Sequence, residues 1–491
     1  MIGGCAITDP KQKVLVIGGS IRGNARRDQT IMRLVKEANG LDDLVAACRK
    51  KFQNGESILS NSEIFAGVAM LGAKSEGSEV DYFSLRSLFH IDDAPRISHD
   101  SKLGLDDDLY FVDTTRIKAD KLNILVNKAR SASGFVVATP IYFGDRSSLV
   151  DSLLKILHDA DVLKDKAFSV VSVGAKRNGG QETTNIYALF DALNYGAFCH
   201  GNGPKTSQYG GTGWAGDKGA VLEDQFGMET AYGTGRRSSQ IAKILKNRPD
   251  IANQKKKAKV VILITADNVQ KEVEATVRDL LPAADNLGAD FEFVNLVDFR
   301  IERCLGCRVC PYPPMVQGGS KGSTELGATD YACIIDNGRD GLELIREKMK
   351  NMDGLIIAGV NQEKHSSLLD QYQAFTERTR FIRRADFEWM NTPFTSLILK
   401  DVGASRERVF GLRAMTSYMR HNMIAMTPVR ALYYEDKLIS NPIGQLFDFV
   451  TMVNRLRLAR EASGPTTVSY IAGGTGGYRD TSLDHTSARR I

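Results

Sequence analysis

The densest group of reactive side chains is a run of thiols, Cys304, Cys307 and Cys310, with Cys333 following. Spacings of two let a short loop wrap three corners of a metal centre. C-x-x-C-x-x-C with a fourth cysteine therefore reads as ligation of an iron–sulfur cluster or of structural zinc. A thiol cluster without metal stands beside those two readings. Cys5, Cys48 and Cys199 are scattered, and an odd total of 7 argues against a secreted disulfide framework.

A second chemistry is spread over three turns. The first, from Gly18 to Thr30, leaves an apolar run (Val14–Ile17) and enters a helical pattern. A helix N-terminus offers free N–H groups and a positive dipole end, so it attracts phosphate. Ser20, Asn24 and Thr30 add neutral donors there, and Arg22 adds a charged fork. Neither Gly-Lys-Ser/Thr nor G-x-G-x-x-G is present in this turn, which excludes the nucleoside-triphosphate loop and the dinucleotide fingerprint. The second turn, Thr139 to Asp145, is shaped by Pro140 and Gly144. After Ile141, Tyr142 and Phe143 offer flat apolar surface where a buried strand has ended, which suits a planar ring such as a flavin. In the third, Ser172 to Thr184, Gly174, Gly179, Gly180, Gln181 and Glu182 form a strand–turn–helix junction whose backbone N–H groups suit the ring's polar edge.

These turns need strands and helices to hold them. Apolar runs at Phe135–Ala138 and Phe168–Val173 predict further strands. Ile31, Leu34, Val35 and Ala38 fall on one helical face, as do Leu149, Leu153, Leu154 and Leu157, and Ile186, Leu189, Phe190 and Leu193. Strands alternating with helices predict an α/β fold with a parallel sheet covered on both faces, and ligands in such sheets sit at the carboxyl ends of the strands.

Past Lys255–Lys259 the rhythm restarts. Val260–Ile264, Phe291–Leu296 and Leu355–Ala358 predict strands, and Val273, Val277 and Leu280 a helix. Residues from Gly134, GFVVATPIYFGDRSSLVDSLLKIL, and from Gly354, GLIIAGVNQEKHSSLLDQYQAFTER, share a glycine, a buried strand, a loop and Ser-Ser-Leu-aliphatic-Asp entering a helix. An internal repeat follows, with one unit over 1–250 and another over 256–461. Residues 39–78 and 86–120 exceed a normal connection and predict small helices or a lid. Residues 201–235 are expected as a Gly-rich loop, and 462–491 as a disordered tail.

Gly-Ser-x-Arg, then Pro-Ile-Tyr-Phe-Gly, then Gly-Gly-Gln-Glu-Thr-Thr, at successive strand ends, resemble the NADPH-dependent FMN reductase and iron–sulfur flavoprotein families. So does the later loop Gln208–Asp217. The resemblance covers most of residues 13–245. It implies two tandem flavodoxin-like doubly wound parallel sheets, with non-covalent FMN in the first. Ser20, Arg22, Asn24 and Thr30 would hold the phosphate, Pro140 to Gly144 would line the ring, and Gly179 to Glu182 would close over it. The second half resembles the family without those motifs: Thr265–Val269 replaces the phosphate turn, and Asp267 there would repel a phosphate. Its cysteines resemble the cluster loop of iron–sulfur flavoproteins, which implies a [4Fe–4S] cluster, although a long insertion separates Cys310 from Cys333.

The expected function is an NAD(P)H-dependent, FMN-containing oxidoreductase passing electrons to a small-molecule or protein acceptor, with a homodimer as the assembly. A non-enzymatic electron carrier is the alternative, and a scaffold with a structural flavin a third. With 491 residues, 42% apolar and 25% charged, the chain suits two or three soluble domains. A charge of +5 without a basic stripe gives no sign of nucleic-acid binding. Apolar runs are too short to span a bilayer, and the N-terminus lacks a signal-peptide layout, so a cytoplasmic location is expected. Arg378–Arg380, Arg383-Arg384 and Glu388-Trp389 read as a charged helix face, and His200 and His365 as structural.

Overall fold

The computed structural model describes residues 12–20, 27–54, 59–91, 112–246, 256–265, 278, 288–306, 333, 335, 340–360, 370–385, 388–401, 407–434 and 437–463. The chain divides into two compact units. The first comprises Met1–Ala188 and Gly210–Lys246, the second Leu189–Tyr209 and Asn247–Ile491. Leu189–Tyr209 groups with the second unit, away from the residues on either side of it in sequence.

In the first unit the parallel strands are β1 (Lys13–Gly18), β2 (Glu79–Ser84), β5 (Gly134–Tyr142), β7 (Ala167–Gly174) and β9 (Gly211–Trp214), in the order β2-β1-β5-β7-β9. This is the doubly wound flavodoxin-like order. Between them run α1 (Arg27–Glu37), α2 (Leu41–Gln53), α3 (Asn61–Ser75), α4 (Ala119–Ser131), α5 (Ser148–Asp159), α6 (Gln181–Asn194) and α7 (Gln225–Lys246). A short antiparallel pair, β3 (Phe89–Ile91) with β4 (Val112–Ile117), flanks them, and β6 (Asp145–Arg146) folds back on β5.

Residues 39–78 are not a lid. They form α2 and α3, and α3 is a central helix of the unit, buried continuously from Ser62 to Ala73. Ser60 starts it with a capping box: its side chain accepts from Glu63 N while the Glu63 carboxylate accepts from Ser60 N at 2.8 Å. The expected loop at 201–235 is also partly helical, since α7 begins at Gln225. Its glycines serve packing. A Cβ at Gly235 would stand 1.8 Å from the Ala69 carbonyl oxygen of α3, and one at Gly72 would stand 2.1 Å from that of Tyr232. The two helices cross backbone to backbone.

The second unit repeats the order. Its parallel strands β10 (Ala258–Ile264), β11 (Ala289–Asn295), β12 (Gly354–Val360), β13 (Pro393–Asp401) and β15 (Val429–Tyr434) run β11-β10-β12-β13-β15. β8 (Phe198–Cys199) pairs antiparallel with β14 (Ile424–Ala425), and β16 (Lys437–Leu438) with β15. The described helices are α8 (Leu342–Met349), α9 (Asp370–Arg378), α10 (Arg380–Ala385), α11 (Glu407–Met419) and α12 (Pro442–Ser463).

The correspondence reaches single hydrogen bonds. Val14 faces Gly134 across β1 and β5 as Val260 faces Gly354 across β10 and β12. Beyond β1, Gly19 N donates to Ala138 O at 2.7 Å; beyond β10, Thr265 N donates to Ala358 O at 3.0 Å. Ser133 N reaches Lys13 O at 2.8 Å, and Asp353 N reaches Lys259 O at 2.7 Å. Both β2 and β11 lead into a single 3₁₀ turn, Leu85–Ser87 and Leu296–Asp298. The last described helix of each unit, α7 and α12, has 22 residues. The helix expected through Val273 and Leu280, and the tail from residue 464, lie outside the described residues. No helix among the described residues is long and apolar enough to cross a membrane.

Candidate functional site

The first unit gathers its strand-end loops at the carboxyl edge of its sheet. The turn after β1 is locked to the end of β5. Gly19 N bonds Ala138 O, and Ser147 Oγ donates back to Gly19 O at 3.2 Å. Ser147 N is in turn held by Thr139 Oγ1 at 3.1 Å. A side chain at Gly19 would strike Val150, which explains the glycine. Ser20 follows, buried. Arg22 and Asn24 lie outside the described residues, and Thr30 sits in the first turn of α1.

The second loop is a two-residue hairpin. Ile141 pairs with Arg146 and Tyr142 with Asp145, leaving Phe143 and Gly144 as the turn. Their φ angles of +52° and +80° match a type I′ turn, which suits the twist of the flanking strands. A positive φ is strained for an aromatic residue, and Phe143 projects fully into solvent (110% exposed), beside Tyr142 at 47%. Trp214, at the end of β9, is also exposed. Three aromatics thus stand at strand ends where core packing does not require them.

The third loop is pressed against the second. Gly180 has φ +96°, and a Cβ there would lie 2.6 Å from Gly144 Cα. A Cβ on Gly174 would touch Ile141 and the Gln181 amide. Gln181 is spent on the loop itself: Nε2 donates to Lys176 O (2.6 Å) and Gly213 O (3.0 Å), and Oε1 accepts from Gly179 N (2.9 Å). It shapes the loop and takes up the Gly179 N–H, while Glu182 beside it is exposed. Arg177 ties the loop to the segment after β9 by pairing with buried Asp224, whose other oxygen accepts from Trp214 N at 2.7 Å.

Sequence reasoning missed the N-terminus of α3. This helix ends where β2 begins, so its first turn lies at the carboxyl edge, and Gly213 of β9 rests on the ring of Phe65. Asn61 donates to Asp217 O at 2.9 Å and accepts from Gly219 N at 2.9 Å, fastening the helix start to the loop after β9. The N–H groups of Asn61 and Ser62 have no intrahelical acceptor. The signal was Ser60-x-x-Glu63, a readable capping box.

Displaced protonation equilibria in this unit have structural causes. Burial pushes the Cys48 thiol up to about 11 and lowers Arg237 to about 9. It also lowers Lys166 to about 8 while its ammonium caps α4 through three carbonyls, those of Ala129, Arg130 and Ala132.

In the second unit the register places Val360 at the position that Pro140 holds in the first. Residues 361–369, and with them His365, lie outside the described residues. Cys304 is partly exposed and Cys333 buried, both as free thiols. Cys307 and Cys310 lie outside the described residues. The cysteine run leaves from the 3₁₀ turn after β11, the counterpart of the turn after β2.

The profile of the NADPH-dependent FMN reductase family matches residues 52–201, a stretch that includes α3 and the second and third loops but not the turn from Gly18 to Thr30. An iron–sulfur flavoprotein of Methanocaldococcus jannaschii is 33% identical over 132 residues, covering 26% of this chain and 67% of that protein. One of Methanosarcina thermophila is 27% identical over 215 residues, covering 42% and 97%. Among solved structures, a flavone reductase aligns at 17% identity with a TM-score of 0.28, over 48% of this chain and 64% of its own.

Proposed function

Since the chain belongs, over residues 52–201, to the NADPH-dependent FMN reductase and iron–sulfur flavoprotein family, we propose that its first unit holds one FMN and works as an NAD(P)H-fed oxidoreductase. The observation that carries this reading is the meeting of loops at one sheet edge: the Gly19 turn locked to β5, the Phe143–Gly144 hairpin, and Gly180 against Gly144. The residues present fit the group. Exposed Tyr142, Phe143 and Trp214 offer flat surface for a ring, and the Gly180 N–H is assigned to its polar edge. Ser20, Arg22, Asn24 and Thr30 are assigned to the phosphate, together with the first-turn N–H groups of α3 at Asn61 and Ser62. FMN supplies the redox chemistry when bound; the chain binds it, orients it and sets its surroundings.

The second unit is read as a duplicated copy that lost the flavin loops and kept cysteines. Shared strand order, matching register and the paired bonds of Gly19 and Thr265 support a common origin. Cys304, Cys307, Cys310 and Cys333 are assigned to a [4Fe–4S] cluster, a reading supported by the names of the two archaeal relatives. A homodimer and a small-molecule or protein acceptor complete it.

The division of labour is tested by Cys307→Ala in anaerobically purified protein. The variant should lose its iron, about four per chain for a cubane cluster, and retain its flavin. Stoichiometric zinc in the parent protein, or loss of flavin together with the metal, would contradict the assignment.

A further inference from the structure

The start of α7 rests on a buried carboxylate. Asp224 is only 2% exposed, and it caps the helix, where Oδ1 accepts from Gly227 N at 2.9 Å. Its other oxygen accepts from Trp214 N at 2.7 Å, and Arg177 of the third loop forms the ion pair. One side chain thus joins the end of β9, the start of α7 and the loop that carries Gly179 and Gly180. Gly227 admits it, since a Cβ there would stand 2.3 Å from Asp224 Oδ2. Thr230 fastens the same corner: its Oγ1 accepts from Thr212 N at 2.9 Å and donates to Gly227 O at 2.7 Å.

A helix cap does not need this arrangement. Serine, threonine or asparagine would serve the cap, whereas a carboxylate withdrawn from water is costly unless a cation meets it. Arg177 meets it, with Nη1 also donating to Thr212 O at 3.3 Å and the guanidinium 5.9 Å from the centre of the Phe226 ring. Nor is the pair required to join the third loop to β9. Ala215 N already donates to Gly174 O at 2.9 Å, and Gln181 Nε2 to Gly213 O at 3.0 Å. What the carboxylate adds is a fixed backbone at Trp214, whose side chain is exposed at the carboxyl edge of the sheet.

We propose that Arg177 and Asp224 are positioning residues of the flavin site: the pair sets Trp214 as the wall that meets the ring, and couples that wall to the third loop. This rests on the reading of the first unit as an FMN site. The need for a carboxylate follows from its two oxygens, one for Trp214 N and one for Gly227 N. An amide has a single acceptor oxygen and would turn a donor toward the other N–H group. Asp224→Asn therefore keeps the cap or holds the tryptophan, but not both.

The test uses the full-length chain with Arg177→Gln, Arg177→Lys and the double variant Arg177→Gln/Asp224→Asn. Melting temperature, the rate of flavin reduction by NADPH, and tryptophan emission with and without FMN are measured. The chain has 2 tryptophans, so the emission lost in Trp214→Phe belongs to Trp214. Bound FMN should quench that emission in the parent protein. Arg177→Gln leaves a buried charge unpaired and should lower the melting temperature. It should also weaken the quenching of Trp214 and slow flavin reduction about tenfold or more, as a small misplacement in a reactive site does. Arg177→Lys should be intermediate, because it keeps the charge but not the fork. The double variant buries no charge and should regain the melting temperature, but neither the quenching nor the rate. If Arg177→Gln yields no folded protein, the double variant decides by the same two readings. Recovery of all three overturns the proposal and leaves the pair a structural staple, as does FMN that binds the parent protein without quenching Trp214. Parent protein that takes up no FMN overturns the flavin reading, and the roles of Arg177 and Asp224 with it.

Discussion

Gly235→Leu is expected to abolish soluble folding of the first unit. A Cβ at this position would stand 1.8 Å from the Ala69 carbonyl oxygen, and that atom is backbone inside a helix, so no side chain can swing aside. Gly72 makes the reciprocal approach to Tyr232 O, so α3 and α7 are held together by two close contacts rather than one. Relief requires the helices to separate along a crossing that anchors the core on one face of the sheet, where Phe65, Ala66, Val68, Ala69 and Met70 are all buried. Overpacking of a rigid site exceeds the common range for point mutants, so a loss of about 4 kcal/mol or more is expected, against a total domain stability of about 5–15 kcal/mol. Thermal or urea unfolding of the variant checks this. Gly40→Ala is the matched control, since a Cβ there meets nothing within 4 Å. Equal stability of the two variants would mean that the α3–α7 crossing is not as close as described.

The second large effect is on flavin binding. Gly180→Val places a β-branched residue at φ +96° and drives its Cβ into the Gly144 backbone. The left-handed strain alone costs about 1–2 kcal/mol, and the collision forces the hairpin of Phe143 away from the third loop. Since about 1.4 kcal/mol is a factor of ten in affinity, FMN affinity should fall at least about tenfold. Stability should suffer less, because both loops lie at the surface. FMN titration by fluorescence quenching, beside a melting curve, separates the two effects. Unchanged affinity would show that the two loops do not jointly form the flavin site.

Much of this was readable in the residues, and the failures have physical causes. Val14–Ile17 and Phe168–Val173 are buried on both faces, so their unbroken apolar runs announce parallel strands. The helix at Leu149, Leu153, Leu154 and Leu157 packs one face only and shows its period plainly. α3 does not, because it is buried on nearly every side from Ser62 to Ala73; a helix apolar all round has no stripe to read. The glycines of α7 mimic a loop because backbone contact with α3 requires them. Among candidate site residues, sequence placed the second and third loops correctly at strand ends. It gave Gln181 to the ligand, whereas the fold uses its amide to shape the loop. Nor did it reveal that Arg378 is interior, since nothing in Arg378–Arg380 tells which of two arginines turns inward.

The central claim is that the first unit binds FMN, and flavin stoichiometry tests it most directly. Full-length protein, purified anaerobically and incubated with excess FMN, is freed of unbound flavin, and its visible spectrum is recorded before and after NADPH. One FMN per chain, with the flavin absorption bleached by NADPH, is the predicted result. A protein that stays colourless after incubation with FMN would contradict the account.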